Sequence, residues 1–271
     1  MIHVGPAGYP AGSKGPSDAV ERAAALGFDA MELQFVRQAR MADEKAIAAG
    51  RKAKELGVLL SAHAPYYINL NSPDRGTVEK SKDWVLKTVR IAAKLGVSVV
   101  VVHAAAYSGK KSEDCTDSVV KGLRQCLNSI DREGLKDVSI GLETMGKRGT
   151  WGTIEEIGAV IEEVEGAVPV IDFAHLHARS GGGLSTKADF ESVLTAVESY
   201  YHGPLHCHFS CIEFTGAGER RHLPLSARQP DFSVLASVLK HKRYDVTVIS
   251  ETPEPEKGAA EMRKLLKQAR R

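Results

Sequence analysis

The chain has 271 residues, 43% of them apolar and 26% charged, which excludes a disordered polymer and is ordinary for a globular protein. Thirty-six lysines and arginines against 34 aspartates and glutamates give a net charge of +2, so any nucleic-acid role must come from local clustering. Four cysteines without a CxxC pair exclude a disulfide framework, and no stretch approaches the ~20 apolar residues of a membrane span.

In chain order, short β-branched runs alternate with segments of helical period. Strands are predicted at Ile2–Val4, Ala30–Gln34, Val58–His63 and Ser98–His103, then at Val138–Glu143, Val168–Asp172, Leu205–Phe209 and Val246–Glu251. Helices are predicted at Ser17–Leu26, Glu44–Leu56, Thr77–Leu95 and Glu113–Glu133, then at Ile154–Val164, Lys187–Tyr200, Phe232–Lys240 and Gly258–Ala269. Leu26-Gly27, Leu56-Gly57 and Leu95-Gly96 each place a glycine where a helix must turn into the next strand. The alternation, the lack of a GxGxxG turn and the lack of a linker predict an α/β fold, a single (β/α)8 TIM barrel over residues 1–271. The glycine-rich Ser180–Gly183 is read as one strand-to-helix loop. The opening Met1-Ile2-His3-Val4 reads as a strand without a leader's cationic start, and a cytoplasmic location with reduced thiols is expected.

In such a barrel the C-terminal strand ends converge on one face, where the active site is expected. His63, His103, Glu143, Asp172, His208 and Glu251 stand at six of those ends. His175 follows Asp172 by three residues, and His222 lies in the loop after the seventh strand. Each alone has a plain structural reading, as a hydrogen-bonded core histidine or an acid capping the next helix. Together they point elsewhere, because carboxylates crowded into one mouth repel one another unless cations neutralise them. Imidazole with carboxylate suits Zn2+, with Mn2+ or Fe2+ as substitutes. His3 and His206 are read as core or supporting residues, and His177, His202 and His241 as loop or surface positions. Cys115, Cys126, Cys207 and Cys211 are read as bystanders.

The segments Ser61-Ala62-His63-Ala64-Pro65-Tyr66-Tyr67-Ile68-Asn69-Leu70, Val102-His103 and Gly141-Leu142-Glu143-Thr144 carry a family resemblance. Ile171-Asp172-Phe173-Ala174-His175 and Ser250-Glu251-Thr252-Pro253 continue it in order. From Ile2 to about Leu266 the chain resembles the endonuclease IV family of apurinic/apyrimidinic endonucleases, within the xylose-isomerase-like barrels. The resemblance implies a monomeric DNA-repair hydrolase. Its substrate would be double-stranded DNA containing abasic sites, cleaved on their 5′ side by a metal-bridging hydroxide. It implies up to three zinc ions, the first on His63, His103 and Glu143. The second would take Glu143, Asp172, His208 and Glu251, and the third His175 and His222 with an acidic partner. Glu143 and Glu251 would be the catalytic carboxylates.

Three segments depart from the family pattern. Ala104-Ala105 replace its proline and glycine, and His208-Phe209-Ser210-Cys211-Ile212-Glu213 replaces His-x-Asn-Asp-Ser-Lys. Arg220 stands where the family has the aspartate before its last histidine. A guanidinium offers donors only, so Glu219 is the expected substitute ligand; the alternative is a Glu219 paired with Arg220 or Arg221 in solvent. DNA contacts are expected from Tyr66, Tyr67, Arg37, Lys147, Arg148, Arg220 and Arg221, with Lys110, Lys111, Arg179 and Arg228 in the same loops. Solvated loops and barrel-rim packing are the plain alternatives. Two other functions compete. One is a sugar isomerase or epimerase with a single divalent metal on Glu143, Asp172, His208 and Glu251, and the other a non-catalytic metal-dependent nucleic-acid binder. The isomerase has no need of His63 with His103 or His175 with His222, and those pairs favour the hydrolase.

Overall fold

The computed structural model describes residues 1–269, so the domain expected over 1–271 extends two residues past them. The chain starts with β1 (Ile2–Pro6), α1 (Pro16–Ala25), β2 (Ala30–Gln34), α2 (Asp43–Leu56) and β3 (Leu59–His63). It continues through α3 (Arg75–Leu95), β4 (Val99–Val102), α4 (Ser112–Arg132), β5 (Ser139–Glu143) and α5 (Ile154–Glu163). Then come β6 (Ala167–Asp172), α6 (Phe173–Arg179), α7 (Lys187–Glu198) and β7 (Leu205–Phe209). A hairpin of β8 (Cys211–Thr215) and β9 (Gly218–Leu223) follows, and α8 (Phe232–Lys242), β10 (Val246–Ser250) and α9 (Pro255–Gln268) close the chain.

Eight of these strands form one sheet in the order β1-β10-β7-β6-β5-β4-β3-β2, every pairing parallel. Its two ends meet, since Ala7 bridges to Glu32 and Gly8 donates its amide to the Glu32 carbonyl at 2.8 Å. This is the predicted TIM barrel, nearly closed. At that seam β1 runs so near β2 that a Cβ on Gly5 would overlap the Ala30 carbonyl. Strands such as Val99–Val102 bury almost every side chain, between the barrel interior and the helices outside. The core between sheet and helices is aliphatic and aromatic, with Leu33, Leu95, Leu123, Ile140, Leu142, Phe190 and Phe232 fully buried.

The predicted strands all form, and Gly27, Gly57 and Gly96 take the left-handed conformation expected of them. Two helices, α3 and α9, begin two or three residues earlier than predicted for local reasons. Asp74 caps α3 by accepting from the Thr77 amide at 2.8 Å, and Pro255 opens α9 at a position where a missing N–H costs nothing. One helix and one two-stranded hairpin are additional to the expected eight strands and eight α-helices among the described residues. α6 follows β6 directly, so Ser180–Gly183 connects two helices rather than strand to helix. The β8–β9 hairpin is antiparallel and stands outside the barrel sheet.

Candidate metal centre at the barrel mouth

Side chains alternate across a strand, so each terminal residue of a barrel strand points either into the mouth or into the helix layer. Glu143 is the hub of those that point in. Its Oε2 lies 2.7 Å from His103 Nε2 and 3.1 Å from His63 Nε2, and its Oε1 lies 3.0 Å from His208 Nδ1. Glu251, just past β10, brings Oε1 to 3.6 Å from the same His208 nitrogen. Asp172 pairs in register with His208 across β6 and β7. Its Oδ1 caps α6 by accepting from the His175 amide at 2.7 Å, so the structural role read for it is real. Its Oδ2 remains for the cluster.

The helix α6, started by that cap, carries His175 over the mouth. His175 Nδ1 lies 2.9 Å from the Thr144 carbonyl, and Nε2 faces Glu219 Oε2 at 3.1 Å. Glu219 comes from β9, as does His222, whose ring centroid lies 5.6 Å from that of His175. His222 Nδ1 is 2.6 Å from Ser210 Oγ, and its Nε2 is 4.0 Å from Glu251 Oε2. Arg220 and Arg221 both turn to Glu213 on β8, which leaves Glu219 out of the solvent pairing weighed for it. Lys147 Nζ approaches its other oxygen at 3.7 Å.

Electrostatics follow from burial and neighbours. Burial alone would raise the Glu143 carboxyl, but His103 and His208 outweigh it and hold the group well below the ordinary carboxylate range. Burial opposes protonation of His63, His175 and His208 too, and the surrounding carboxylates prevail in each. His208 stands well above the usual imidazole value, and His175 is pushed up to about 9. The protein thus crowds ionised acids around imidazoles that carry protons in a cation's absence.

The residues fit a metal. Asp172 Oδ2 and Glu219 Oε2 are buried oxygens without a hydrogen-bond partner, the 3.1 Å approach of His175 to Glu219 lacking hydrogen-bond geometry. Buried carboxylate oxygens without donors are costly, and a cation is the natural counterpart. Two groups bring one ligand atom from each member within 4.8 Å of all the others: His63, His103 and Glu143, and Glu143, Asp172, His208 and Glu251. A third such group, Glu32 with His206 and His208, lies deeper in the barrel.

Above the cluster opens a cavity of about 690 Å³, lined by Tyr66, Tyr67, His103, His175, Glu219, His222 and Glu251 among others. Tyr66 stacks on His103 with ring centroids 5.3 Å apart and donates to Gln34 Oε1 at 2.7 Å, while Tyr67 is 60% exposed at the rim. Burial and the carboxylates Glu251, Glu143 and Glu32 raise the Tyr66 phenol, which stays protonated. Lys147 and Arg148 are exposed on the loop after β5, and Arg37 is exposed beside the lining residue Val36. Arg179 is not free to meet a ligand, since it clamps the carbonyls of Lys147 and Thr150 at 2.7 and 2.9 Å.

His177, read as a loop or surface position, is instead buried in α6 with Nδ1 3.1 Å from the Leu184 carbonyl. The misreading follows from the missed helix. His206 is buried as expected, and all four cysteines are buried and free. Glu32 was not anticipated. It is fully buried inside the barrel beside His206 and His208, and its signal was an acid in the apolar strand Ala30-Met31-Glu32-Leu33.

Residues 20–269 match the xylose isomerase-like TIM barrel family. An uncharacterised protein of Methanocaldococcus jannaschii is 32% identical over 93% of this chain and 92% of its own length. A probable endonuclease 4 of Acholeplasma laidlawii is 29% identical over 74% of this chain and 70% of its own. Among solved structures, endonuclease IV from Thermus thermophilus superimposes with a TM-score of 0.76 at 22% identity, covering 98% of this chain and all of that one. A D-tagatose 3-epimerase-like protein does so with a TM-score of 0.74 at 19% identity, covering 97% and 96%. At those identities the likeness is one of fold. No helix among the described residues is long and apolar enough to cross a membrane.

Proposed function

The chain belongs to the xylose isomerase-like TIM barrel family, and from that premise we propose a zinc-dependent endonuclease that hydrolyses the phosphodiester 5′ to abasic sites in duplex DNA. One observation carries this reading. The cluster around Glu143 is extended on both sides, by His63 and His103 and by His175, His222 and Glu219. A one-metal epimerase needs only Glu143, Asp172, His208 and Glu251, and the additional donors suit a site that clamps a phosphodiester at several oxygens.

In this reading His63, His103 and Glu143 hold one ion, Glu143, Asp172, His208 and Glu251 a second, and His175, His222 and Glu219 a third. Bound metal supplies charge stabilisation for attacking and leaving oxygens and a nucleophile at neutral pH. Glu251, on the cavity wall, orients the attacking water. Water adds at phosphorus and the bond on the 5′ side of the lesion breaks, leaving a 3′-hydroxyl and a 5′ deoxyribose-phosphate. Tyr66 and Tyr67 at the rim present ring faces to the stack opened by the missing base.

Incubation with a duplex bearing one abasic site should give a single nick with those termini. Chelation should abolish it and zinc restore it, with Glu143→Gln inactive. Epimerisation of a ketose with no nicking would overturn the reading in favour of the one-metal sugar enzyme.

A further inference from the structure

Below the metal cluster, inside the barrel, Glu32 is saturated with hydrogen-bond donors. Ser61 Oγ donates to its Oε2 at 2.8 Å, and Gln34 Nε2 donates to its Oε1 at 2.8 Å. His206 Nε2 lies 3.0 Å from Oε2, and His208 Nε2 lies 3.1 and 3.2 Å from Oε1 and Oε2. The strand register produces this arrangement. Glu32 lies opposite Ser61 on β3, Gln34 shares its strand face, and His206 and His208 share a face of β7. The Gln34 amide is oriented as a donor because its oxygen already accepts from Tyr66.

We propose that Glu32 is a positioning residue that fixes which nitrogen of His208 is offered to a metal. An ionised carboxylate only accepts, so the His208 nitrogen against it must carry a proton. That nitrogen is Nε2. The other nitrogen, Nδ1, is 3.0 Å from Glu143 and 3.6 Å from Glu251; its proton is the one a metal among these carboxylates would displace, while Glu32 keeps the proton on Nε2. An imidazole whose second nitrogen donates to a carboxylate is held in one orientation and is a better ligand. Glu32 is not itself a ligand, because Ser61 and Gln34 already direct donors at its oxygens and a cation would face those protons. His206 supplies a further donor from below and helps keep the carboxylate ionised.

The inference rests on the metal-binding part of the proposed function and not on its substrate. The test is metal binding by Glu32→Gln, with Ser61→Ala as the control that disturbs the same carboxylate without touching the His208 contact. Glu32→Gln keeps the volume but turns one acceptor into a donor facing other donors. Competition with a chromophoric chelator should show zinc binding weakened roughly 10–100-fold. Zinc content at saturation should be unchanged, and Ser61→Ala should bind like the wild type. In the zinc-loaded wild type, 15N spectra should show a slowly exchanging proton on His208 Nε2, a measurement that stands even where Glu32→Gln does not fold. An unprotonated Nε2, or unaltered affinity in a folded Glu32→Gln, would overturn the proposal. So would loss of a whole zinc equivalent at saturation, which would make Glu32 a ligand, or equal weakening in Ser61→Ala, which would make the effect general. A wild type that binds zinc in this way but does not nick DNA refutes the endonuclease and leaves Glu32's role standing.

Discussion

His175 shows how one side chain couples the site to stability. Its main opponent is burial, which favours the neutral ring, yet the carboxylates of Asp172, Glu219, Glu143 and Glu251 lift it from 6.5 to about 9. A histidine whose folded value lies above its unfolded one stabilises the fold while protonated in both the folded and unfolded chain, that is below pH 6.5. That contribution shrinks as pH rises and is gone above about 9. The chelator-treated protein should therefore lose stability between those two values, and His175→Gln should lose less. Urea unfolding at a series of pH values measures both, and parallel curves for the two proteins would refute the assignment. Metal ligation demands unprotonated imidazole, so zinc added at neutral pH should release protons. Calorimetry in buffers of different ionisation enthalpy would register that release.

The β8–β9 hairpin is the element on which the outer part of the site depends, because it alone delivers Glu219 and His222. Gly218 sets its position. With φ of +105° it occupies a conformation that L side chains rarely adopt, and a Cβ there would overlap the Gly146 carbonyl oxygen. Neighbouring backbone bonds, Glu219 to Gly146 at 3.3 Å and Arg148 to Ala217 at 3.1 Å, hold hairpin and β5 loop together. On the proposed three-zinc reading, Gly218→Ala should push the hairpin out and remove one zinc equivalent while costing about 1–3 kcal/mol of stability. Gly216→Ala, at a position open on all sides, is the control and should retain full metal content. Elemental analysis of the two variants decides it, and full zinc in Gly218→Ala would detach the hairpin from the third site. The barrel strands were legible in the sequence because β-branched runs such as Val99–Val102 repeat between helical segments. So were six of the ligand candidates, His63, His103, Glu143, Asp172, His208 and Glu251, as each sits at or beside the end of a barrel strand. The hairpin was not, since Gly218-Glu219-Arg220-Arg221 holds no apolar side chain to alternate, with Gly218 buried, Glu219 half-buried and the two arginines exposed. α6 was hidden for a different reason. At 7 residues it is too short for a periodicity, and Asp172 serves it as cap while also facing the cluster. Glu32 escaped because an acid in a strand reads as an outward-facing residue until the opposing strand brings Ser61 to it.

A net charge of +2 gives no general attraction to a polyanion, so the DNA affinity of the proposed enzyme would have to be carried by the mouth face. That face is not uniformly basic. Glu213 accepts both Arg220 and Arg221, and Arg179 spends its guanidinium on loop carbonyls. Lys147 and Arg148 remain exposed beside the cavity, and Arg148 forms no ion pair among the described residues. On the proposed reading, phosphates flanking the lesion meet these two first, and Arg220 and Arg221 contribute less because contact requires leaving Glu213. Each phosphate contact releases condensed counterions and adds about 0.9 to the slope of log affinity against log salt. Replacing Lys147 and Arg148 together by glutamine should then lower that slope by about 1.8, and replacing Arg220 and Arg221 should lower it less. Zinc content should stay the same in both, which separates phosphate contact from damage to the metal cluster. Binding to a duplex with one abasic site, measured with Glu143→Gln so that no cleavage intervenes, gives the slopes. Equal slopes in the Lys147/Arg148 variant and its parent would mean that this loop does not touch the DNA backbone.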